Sequence, residues 1–306
     1  MKKSLVFLTK KNFNLYADSN YLSHILNGIF SDRFKDLFFK KYDILIIYNT
    51  SLKSLPAIIF SKIRKKKIVY CFHEPFYSFE ELVQWKQKFF KYLIVNFIHF
   101  LCCRFVDKAV VFSNYGYKKL KKIAPKNLNI SISGLPYEDN FTNYKIKSKK
   151  IKISYLGGIS QFKNPYIFID KYSEYFSKYN IEYHIYSKTE INNNKHKHIH
   201  IHEQKLSDKE FINAIKSSDI IHIPHDFCTQ SGVLVRSFSA GRPVIINNTD
   251  NYNYEKQIDG VCGIIDDEFF LEKFINYTKN REKFALRAYN YYLDNFNLNN
   301  DYYEVQ

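Results

Sequence analysis

The amino-acid sequence predicts an α/β protein built from two Rossmann-like, doubly wound domains. Short apolar runs of strand length alternate with longer helical segments, and this alternation stops and then restarts near the middle of the 306-residue chain. Strands that alternate with helices are typical of a parallel sheet covered on both faces. A chain of this length accommodates two domains of ordinary size, each with its own core.

In the first half, the apolar runs have the length and composition of buried parallel strands. These strands are predicted at Ser4 to Leu8, Ile44 to Tyr48, Lys67 to Phe72 and Lys108 to Ser113, and a Lys-rich helix is predicted to begin near Asn114. Hydrophobicity then falls and lysines accumulate, which is typical of a linker. We therefore expect an N-terminal domain over residues 1–140, a linker over 141–150 and a C-terminal domain over 151–306.

The second half repeats the pattern of strands and helices. Strands are predicted at Ile151 to Leu156, Glu182 to Tyr186, His198 to His202, Asp219 to Ile223, Pro243 to Asn247 and Val261 to Ile265. Helices are predicted at Pro165 to Lys178, Asp208 to Ser217 and Ser231 to Ala240, and again from Asp267 to Phe296. This order predicts a second doubly wound sheet.

The positive charge of the chain is concentrated in the N-terminal half. The net charge is +16; residues 1–145 hold 25 Lys and Arg against 10 Asp and Glu, and residues 146–306 hold 21 against 20. Such asymmetry indicates an anionic partner, for which a membrane surface, a phosphorylated substrate and nucleic acid are the candidates, or else a charge that serves solubility. No aromatic-basic RNA motif or recognition helix is present in the sequence, so nucleic acid is not expected as a partner.

The cysteines and the N-terminus predict a reduced, cytoplasmic protein. The five cysteines are odd in number and form no C-x-x-C pair, so neither a disulfide framework nor a zinc site of that kind is indicated. The short apolar run Leu5 to Leu8 is followed directly by Lys10 and Lys11, which is unlike a signal peptide.

The segment from Ser217 to Asn247 has the order of a phosphate site. A strand ends at Ile223 and Pro224, a polar loop follows, and Gln230-Ser231-Gly232 opens a helix. The first turn of a helix presents unpaired N–H groups and the positive end of the helix dipole, which together favour a bound phosphate. Ser231 can cap the helix, and Gly232 lets the backbone approach a phosphate closely; the alternative is plain capping without a ligand.

Three segments of the C-terminal half carry a resemblance to a known group of enzymes. The first is Tyr155-Leu156-Gly157-Gly158-Ile159-Ser160-Gln161-Phe162-Lys163-Asn164-Pro165. The second consists of the runs Ser218 to Pro224, Gln230-Ser231-Gly232-Val233-Leu234 and Ala240 to Ile245, and the third is Asp259-Gly260-Val261-Cys262-Gly263-Ile264-Ile265. In their order and spacing they resemble the donor-binding half of GT-B glycosyltransferases, of which the retaining enzymes of family 4 are the nearest large group. The resemblance covers about residues 151–270.

This resemblance implies two Rossmann-like domains that face each other across a cleft, with the activated sugar held by the C-terminal domain. It implies donor contacts from Gly157 and Gly158, from a diphosphate-binding Lys163, and from the helix start at Gln230, Ser231, Gly232 and Val233. Two positions depart from the family pattern. Gly158 stands where an arginine is usual, and Arg236 stands at the position of a ribose-binding glutamate. Arg236 either replaces the missing cation at the phosphate or forms a salt bridge on the helix face.

In the N-terminal half, His73 and Glu74 follow the strand that ends at Phe72. The carboxyl ends of parallel strands are where doubly wound sheets bind ligands. A histidine at a similar place in GT-B enzymes lies near the reacting sugar, which makes His73 and Glu74 the candidate catalytic residues. The alternative for both is an ordinary loop position.

Two further sequence patterns concern membrane binding and metal binding. The apolar stretch Phe89 to Leu101 has a basic rim of Lys86, Lys88, Lys91 and Arg104 and is too short to span a bilayer, so it is either an interfacial helix or a core helix. The residues His196, His198, His200 and His202 alternate along one strand. Side chains that alternate along a strand are about 7 Å apart, too far for a tetrahedral site, so no metal is expected.

The sequence therefore predicts a metal-independent glycosyltransferase without a bound cofactor, its nucleotide sugar being a substrate; the resemblance to family 4 implies that it retains the configuration of the sugar. The expected acceptor is a hydroxyl of a saccharide or of a lipid-linked glycan in bacterial surface polysaccharide synthesis. The expected location is the cytoplasm, peripheral at the anionic inner face of the membrane. The alternatives are another GT-B-fold enzyme of sugar nucleotides, such as an epimerase, and a basic nucleic-acid-binding protein.

Overall fold

A computed structural model describes residues 3–9, 13–73, 76–77, 89–141, 149–188, 197–226, 231–247 and 263–296. The chain divides into two compact units, the first ending at Pro136 and the second spanning Tyr137–Phe296. The division therefore falls before the linker that the sequence indicates. Residues 137–141 pack on the second unit, where Tyr292 donates a hydrogen bond to the Tyr137 carbonyl (2.9 Å) and the ring of Phe141 stacks on Tyr289 at 3.9 Å.

The first unit alternates short strands with helices. Its strands are β1 (Ser4–Phe7), β2 (Ile29–Ser31), β3 (Ile44–Ile47), β4 (Lys67–Phe72), β5 (Lys108–Val111) and β6 (Asn129–Ile132). Its helices are α1 (Phe13–Ile25), α2 (Asp36–Phe39), α3 (Ser54–Ile63), α4 (Phe89–Phe105) and α5 (Asn114–Lys121). The strands form one parallel sheet in the order β2-β1-β3-β4-β5-β6.

The core of the first unit lies on the faces of this sheet. Strands β1, β3 and β5 are buried along their whole length, as expected for near-continuous apolar runs in a parallel sheet. Cys71, Cys102 and Cys103 are free thiols in this core, and burial raises the pKa of Cys102 and of Cys103 to about 12. These described cysteines are therefore protonated and unreactive at neutral pH.

The second unit has the same alternation. Its strands are β7 (Ile151–Leu156), β8 (Ile181–Ser187), β9 (Ile199–Glu203), β10 (Ile220–Ile223), β11 (Val244–Asn247) and β12 (Gly263–Asp266). Its helices are α6 (Pro165–Tyr172), α7 (Glu174–Tyr179), α8 (Asp208–Lys216), α9 (Gly232–Ser239), α10 (Phe270–Lys279) and α11 (Arg281–Asn295). The strands again form one parallel sheet, in the order β12-β11-β10-β7-β8-β9.

Side-chain caps explain where several of these helices begin. Asn164 caps α6 by accepting from the Tyr166 N–H at 3.0 Å, and Pro165 occupies the first helical position, where its missing N–H is not needed. Ser207 and Glu210 form a reciprocal capping box at the start of α8. The cap of α9 belongs to the candidate site and is described with it.

The structure confirms the α/β fold class with two parallel sheets and refines its elements. The sequence argument did not include β2 and β6, which are short and lie at opposite edges of the first sheet. The single helix expected from Pro165 to Lys178 is two helices that meet at Ser173. No helix among the described residues is long and apolar enough to cross a membrane.

Candidate functional site

The second sheet has a switch point between β7 and β10. From β7 the chain moves outward to β8 and β9, then returns to β10 on the other side and continues to β11 and β12. The loops after β7 and β10 therefore diverge, which leaves a crevice at the carboxyl ends of these two neighbouring strands. Doubly wound sheets bind ligands at this place.

The loop after β7 begins with two exposed glycines, Gly157 and Gly158. Gly157 has φ of +152°, a conformation that favours glycine, and its N–H donates to the Tyr186 carbonyl at 3.0 Å. The Tyr155 hydroxyl donates to the Gly158 carbonyl at 2.7 Å. Both glycines are solvent-exposed, so their backbone is accessible to a ligand at the edge of the sheet.

The loop after β10 is tied to the loop after β7. Lys163 and His225 form an antiparallel bridge, and the Asp226 N–H donates to the Phe162 carbonyl at 3.0 Å. The Asn247 side chain, at the end of β11, donates to the Asp226 carboxylate at 3.0 Å. The ends of β7, β10 and β11 are thus joined in one polar cluster.

Lys163 and His225 are two basic side chains of this cluster. Lys163 is half-buried, and its ammonium forms no ion pair with a carboxylate of the described residues. His225 is buried, and within the described part of the chain its Nδ1 has no hydrogen-bond partner. Burial, and next the charge of Lys163, hold the pKa of His225 well below its usual value, so the imidazole is neutral. An unpaired cation beside an unsatisfied polar atom favours an anionic, hydrogen-bonding ligand.

The start of helix α9 is capped by Ser231. Ser231 is buried and extended (φ −126°, ψ 110°), and its hydroxyl accepts from the Leu234 N–H at 3.3 Å. The capping interpretation of this serine therefore holds. The N–H groups of Gly232 and Val233 have no partner among the described residues, so the first turn keeps two donors for a ligand.

Gly232 is explained by a neighbouring tyrosine. A Cβ atom at this position would lie 2.4 Å from the Tyr137 hydroxyl oxygen, closer than real Cβ contacts allow. The sequence argument attributed this glycine to the approach of a phosphate. The structure shows that the space beside Gly232 is taken by a protein side chain.

Arg236 forms a salt bridge, which is the second of the two roles that the sequence left open. Its guanidinium pairs with the Asp208 carboxylate at 3.4 Å and lies over the rings of Tyr137 (4.7 Å) and Phe211 (5.4 Å). An arginine held by a carboxylate and two aromatic faces packs α9 against α8 and residue 137. The helix-face salt bridge is therefore the observed arrangement.

In the first unit, His73 follows β4 at the carboxyl edge of the sheet. Its ring contacts Tyr48 (4.8 Å) and Phe112 (4.7 Å) and is hydrogen-bonded to the Tyr48 backbone. Burial lowers the pKa of His73 to about 4, so this imidazole is neutral at physiological pH. Glu74 and Gln230, which the sequence also named, lie outside the described residues.

Comparison with known proteins identifies the fold. No family model matches the chain, and no curated protein matches it in sequence. Among solved structures, HepE from Anabaena in complex with UDP has a TM-score of 0.65 at 12% identity, over 96% of this chain and 95% of its own. The fold is that of the GT-B glycosyltransferases.

Two further structures show how widely this fold is shared. A glycosyltransferase from Rickettsia africae has a TM-score of 0.62 at 12% identity, over 99% of this chain and 98% of its own. A putative UDP-N-acetylglucosamine 2-epimerase from Listeria monocytogenes has a TM-score of 0.59 at 12% identity, over 96% and 94%. At such identity the likeness establishes the fold, and function has to be argued from the site.

Sequence reasoning missed two residues that shape the site. His225 was noted only as part of a polar loop, although a histidine placed directly after Ile223 and Pro224 at a strand's carboxyl end is the available signal. Tyr137 carried no signal, because it contacts α9 from almost a hundred positions earlier in the chain. Only the folded structure brings them together.

The contact between Gly232 and Tyr137 makes a stability prediction. Replacing Gly232 with alanine should lower the free energy of unfolding by about 1–3 kcal/mol, the usual cost of forcing extra volume into a packed place. Urea denaturation followed by circular dichroism measures this change.

Tyr137→Phe in the Gly232→Ala background is the matched control. Removing the hydroxyl removes the atom that the new Cβ meets, so the double variant should recover part of the lost stability. If Gly232→Ala lowers the free energy of unfolding by the same amount in the parent and in the Tyr137→Phe background, the hydroxyl is not what requires a glycine at position 232.

Buried neutral histidines make stability depend on pH. Burial lowers the pKa of His73 to about 4 and that of His222 to about 3, whereas the pKa of an unfolded histidine is about 6.5. Between these values the unfolded chain binds more protons, so acid favours unfolding. The free energy of unfolding should be constant above about pH 6.5 and fall below it, by up to about 1.4 kcal/mol per pH unit for His222.

Urea denaturation at a series of pH values between 5 and 8 tests this dependence. His222→Asn should fall less steeply below about pH 6.5 than the parent protein, because one neutral imidazole is gone. An identical slope in the two proteins would contradict the assignment.

Proposed function

We propose that this protein transfers a sugar from a nucleotide donor to an acceptor hydroxyl, with the donor diphosphate bound at the switch point of the second sheet. The observations that carry the proposal are the bridge between Lys163 and His225 at the strand ends of a GT-B fold, the unsatisfied His225 Nδ1, and the donors at the start of α9 that no described residue pairs. A uridine diphosphate sugar is the first donor to test, since HepE was crystallised with UDP and with UDP-glucose.

In this proposal the second unit stabilises the leaving diphosphate. As the bond between sugar and phosphate breaks, negative charge grows on the diphosphate oxygens. In the proposal the Lys163 ammonium and the N–H groups of Gly158, Gly232 and Val233 bind that charge, whereas the Gly157 N–H is already donated to the Tyr186 carbonyl. His225 stays neutral and offers a hydrogen bond without adding charge. These groups would be in place before the reaction, which lowers the cost of reorganisation.

His73 and Glu74 are proposed to act on the sugar or the acceptor. A neutral His73 is suited to orienting a hydroxyl or a phosphate oxygen, because one ring nitrogen donates and the other accepts. Glu74 is proposed as the partner of the acceptor hydroxyl. Retention of configuration and a reaction without a metal or other cofactor at the donor site follow from the resemblance to family 4 and are part of the proposal.

Release of nucleoside diphosphate tests the proposal. A panel of UDP-, GDP- and ADP-sugars should be incubated with purified protein and saccharide or lipid-linked acceptors. We expect release that needs both one donor and an acceptor. The control is the same protein without acceptor, which should be nearly inactive. No release from any donor by folded protein would count against a transferase.

An epimerase is the second candidate because of the Listeria neighbour. This activity would give a new sugar nucleotide without any acceptor, and chromatography of the acceptor-free mixture detects it. The same experiment therefore separates the two reactions by their need for an acceptor.

Helix α4 supports a membrane-bound acceptor. Its inner face is buried through Ile98, His99, Cys102 and Cys103, and its opposite face is exposed and apolar. The exposed side chains, with their exposed fractions, are Phe90 (77%), Leu93 (46%), Ile94 (52%), Phe97 (61%) and Phe100 (39%). The helix is thus a core helix on one side, and its exposed apolar side supports the interfacial alternative that the sequence offered.

Neighbouring helices extend this apolar surface. Helix α3 packs beside α4 and exposes Ile59 (47%) and Ile63 (74%), and α2 exposes Phe39 (81%). Lys91 and Arg104 lie on α4 itself, and Arg64 and Lys65 follow α3. Apolar side chains within a basic rim fit the headgroup layer of an anionic membrane. We place the acceptor on such a membrane, as a lipid-linked glycan; Lys86 and Lys88 of the expected rim lie outside the described residues.

A further inference from the structure

A histidine-rich patch lies at the edge of the second sheet, away from the donor site. Strands β8 and β9 form this edge, and one face of β8 carries Glu182, His184 and Tyr186. The register places His184 opposite His200, and Tyr186 opposite His202. This face is half-buried. The candidate donor site lies elsewhere in the same sheet, at the carboxyl ends of β7 and β10.

The geometry brings three metal-binding groups together. The ligand atoms of Glu182, His184 and His200 all lie within 4.8 Å of one another. The rings of His184 and His200 are stacked with centroids 4.5 Å apart. A tetrahedral zinc ion with bonds of about 2.0–2.2 Å holds its donor atoms roughly 3.4 Å apart. Modest rotation of the three side chains would bring their ligand atoms to this separation.

The two imidazoles have nitrogens that are left unsatisfied. The Nε2 atoms of His184 and of His200 are both buried and have no hydrogen-bond partner among the described residues. Buried polar atoms in folded proteins almost always have a partner, and each exception calls for an explanation such as an ion. Two such atoms beside one carboxylate have a common explanation in a shared cation.

The hydrogen bonding of His184 suits a metal ligand. Its Nδ1 lies 3.1 Å from His202 Nε2, so one of these two nitrogens carries the shared proton. With that proton on His184 Nδ1, His184 Nε2 keeps a lone pair for a metal, and His202 serves as the outer partner that fixes the ring. Burial lowers the pKa of His184 to about 3, which keeps the imidazole neutral as metal binding requires.

Glu182 completes the set with charge. Its Oε1 accepts from the Lys150 ammonium, and its other oxygen has no hydrogen bond with a described residue. Neutral imidazoles with one carboxylate form a donor set that zinc accepts.

We propose that Glu182, His184 and His200 bind one Zn²⁺ ion, which clamps the edge strand β9 to β8. Strand β9 is short and, among the strands that the structure describes, has a neighbour on one side only, so a cross-strand metal would protect an edge that is otherwise prone to opening. This site is independent of the proposed sugar transfer, and its test uses no activity measurement.

Cobalt titration tests the site directly. The full-length protein, without a polyhistidine tag and freed of metal by chelation, is titrated with Co²⁺ while visible absorption is recorded, and Zn²⁺ is then added in competition. We expect one Co²⁺ per chain with the intense absorption of a tetrahedral ion, displaced by one Zn²⁺. Absence of stoichiometric binding by the folded protein would overturn the proposal.

Matched variants distinguish this site from non-specific binding of the metal by other histidines. His184→Ala and His200→Ala each remove a ligand and should raise the Kd about 100-fold or more, whereas His202→Ala should raise it about 10- to 100-fold as an outer partner. Glu182→Gln keeps the shape of the side chain and should also weaken binding. The control is His198→Ala, since His198 directly precedes β9 and its ring bonds to Ser177. Equal affinity in His184→Ala, His200→Ala and the control would place the metal elsewhere.

Hydrogen exchange tests the clamp. Zn²⁺ should slow exchange of the β9 amides in the parent protein and in His198→Ala, but not in His184→Ala. Binding without slower exchange in β9 would overturn the role as a clamp.

Discussion

Lys163→Ala should raise the Kd for UDP and for the donor sugar about 10- to 150-fold, which corresponds to about 1.5–3 kcal/mol for a charge-assisted hydrogen bond. The lysine is held at the switch point by its backbone bridge to His225, and its ammonium has no carboxylate partner in the described part of the chain. Replacing it should therefore remove a positive charge that binds the ligand, without breaking an ion pair between described residues. Isothermal titration with UDP measures the change.

The control for this substitution is Lys178→Ala. Lys178 is exposed on α7, distant in the fold from the strand ends that form the site. It carries the same charge, so any effect of net charge alone should be equal in the two variants. Both proteins should unfold at the same denaturant concentration as the parent. If Lys178→Ala weakens UDP binding as much as Lys163→Ala, Lys163 has no specific contact with the diphosphate.

Replacing Phe90 and Phe97 together with serine should reduce binding to vesicles that contain anionic lipid about 100-fold or more. Both rings are exposed on the outer face of α4, by 77% and 61%. Burying a phenylalanine side chain contributes about 1.5–3 kcal/mol, so losing two removes most of the apolar contribution to adsorption. Co-sedimentation with vesicles at increasing lipid concentration measures the partition coefficient.

Phe269→Ser with Leu286→Ser is the matched control for the membrane surface. These side chains are similarly exposed, by 55% and 53%, but they belong to the second unit. The control should bind vesicles as the parent does, and high salt should release both, because attraction between charges is screened over about 8 Å at physiological ionic strength. Loss of self-association instead of vesicle binding in Phe90→Ser with Phe97→Ser would show that the face contacts a second copy of the chain.

The sheets could be predicted from the sequence because buried parallel strands leave a strong local signal. The run Ile44 to Ile47 is apolar without interruption, the run Ile220 to Ile223 is interrupted by His222 alone, and the structure buries every residue in both. Strand β6 left a weak signal because it alternates polar and apolar residues at a half-exposed edge. Its assignment depends on pairing with β5, which no local pattern shows.

The candidate site was only partly predictable for a similar reason. Ser231 and Gly232 were indicated by the order of strand, loop and helix along the chain, and Lys163 was indicated by the resemblance to GT-B enzymes. The reason for a glycine at position 232 could not be predicted, because the Tyr137 side chain that lies beside it is almost a hundred positions earlier in the chain. Arg236 was left open by the sequence, and its pairing with Asp208 depends on how α8 and α9 pack.

The histidine patch shows the same limit most clearly. Spacing along β9 argued against a metal, because alternate side chains on one strand are too far apart. That argument considered a single strand. The register with β8 places His184 beside His200, and the distance across two paired strands is shorter than the distance along one.

A crystal structure of the protein with UDP tests the central claim most directly. The diphosphate should lie at the carboxyl ends of β7 and β10, with an oxygen about 3 Å from the Lys163 ammonium and another within hydrogen-bond distance of the Gly232 or Val233 N–H. The same density with Lys163→Ala should be weaker or absent. UDP bound elsewhere in the chain, with the Lys163 ammonium still facing solvent, would contradict the assignment of the donor site.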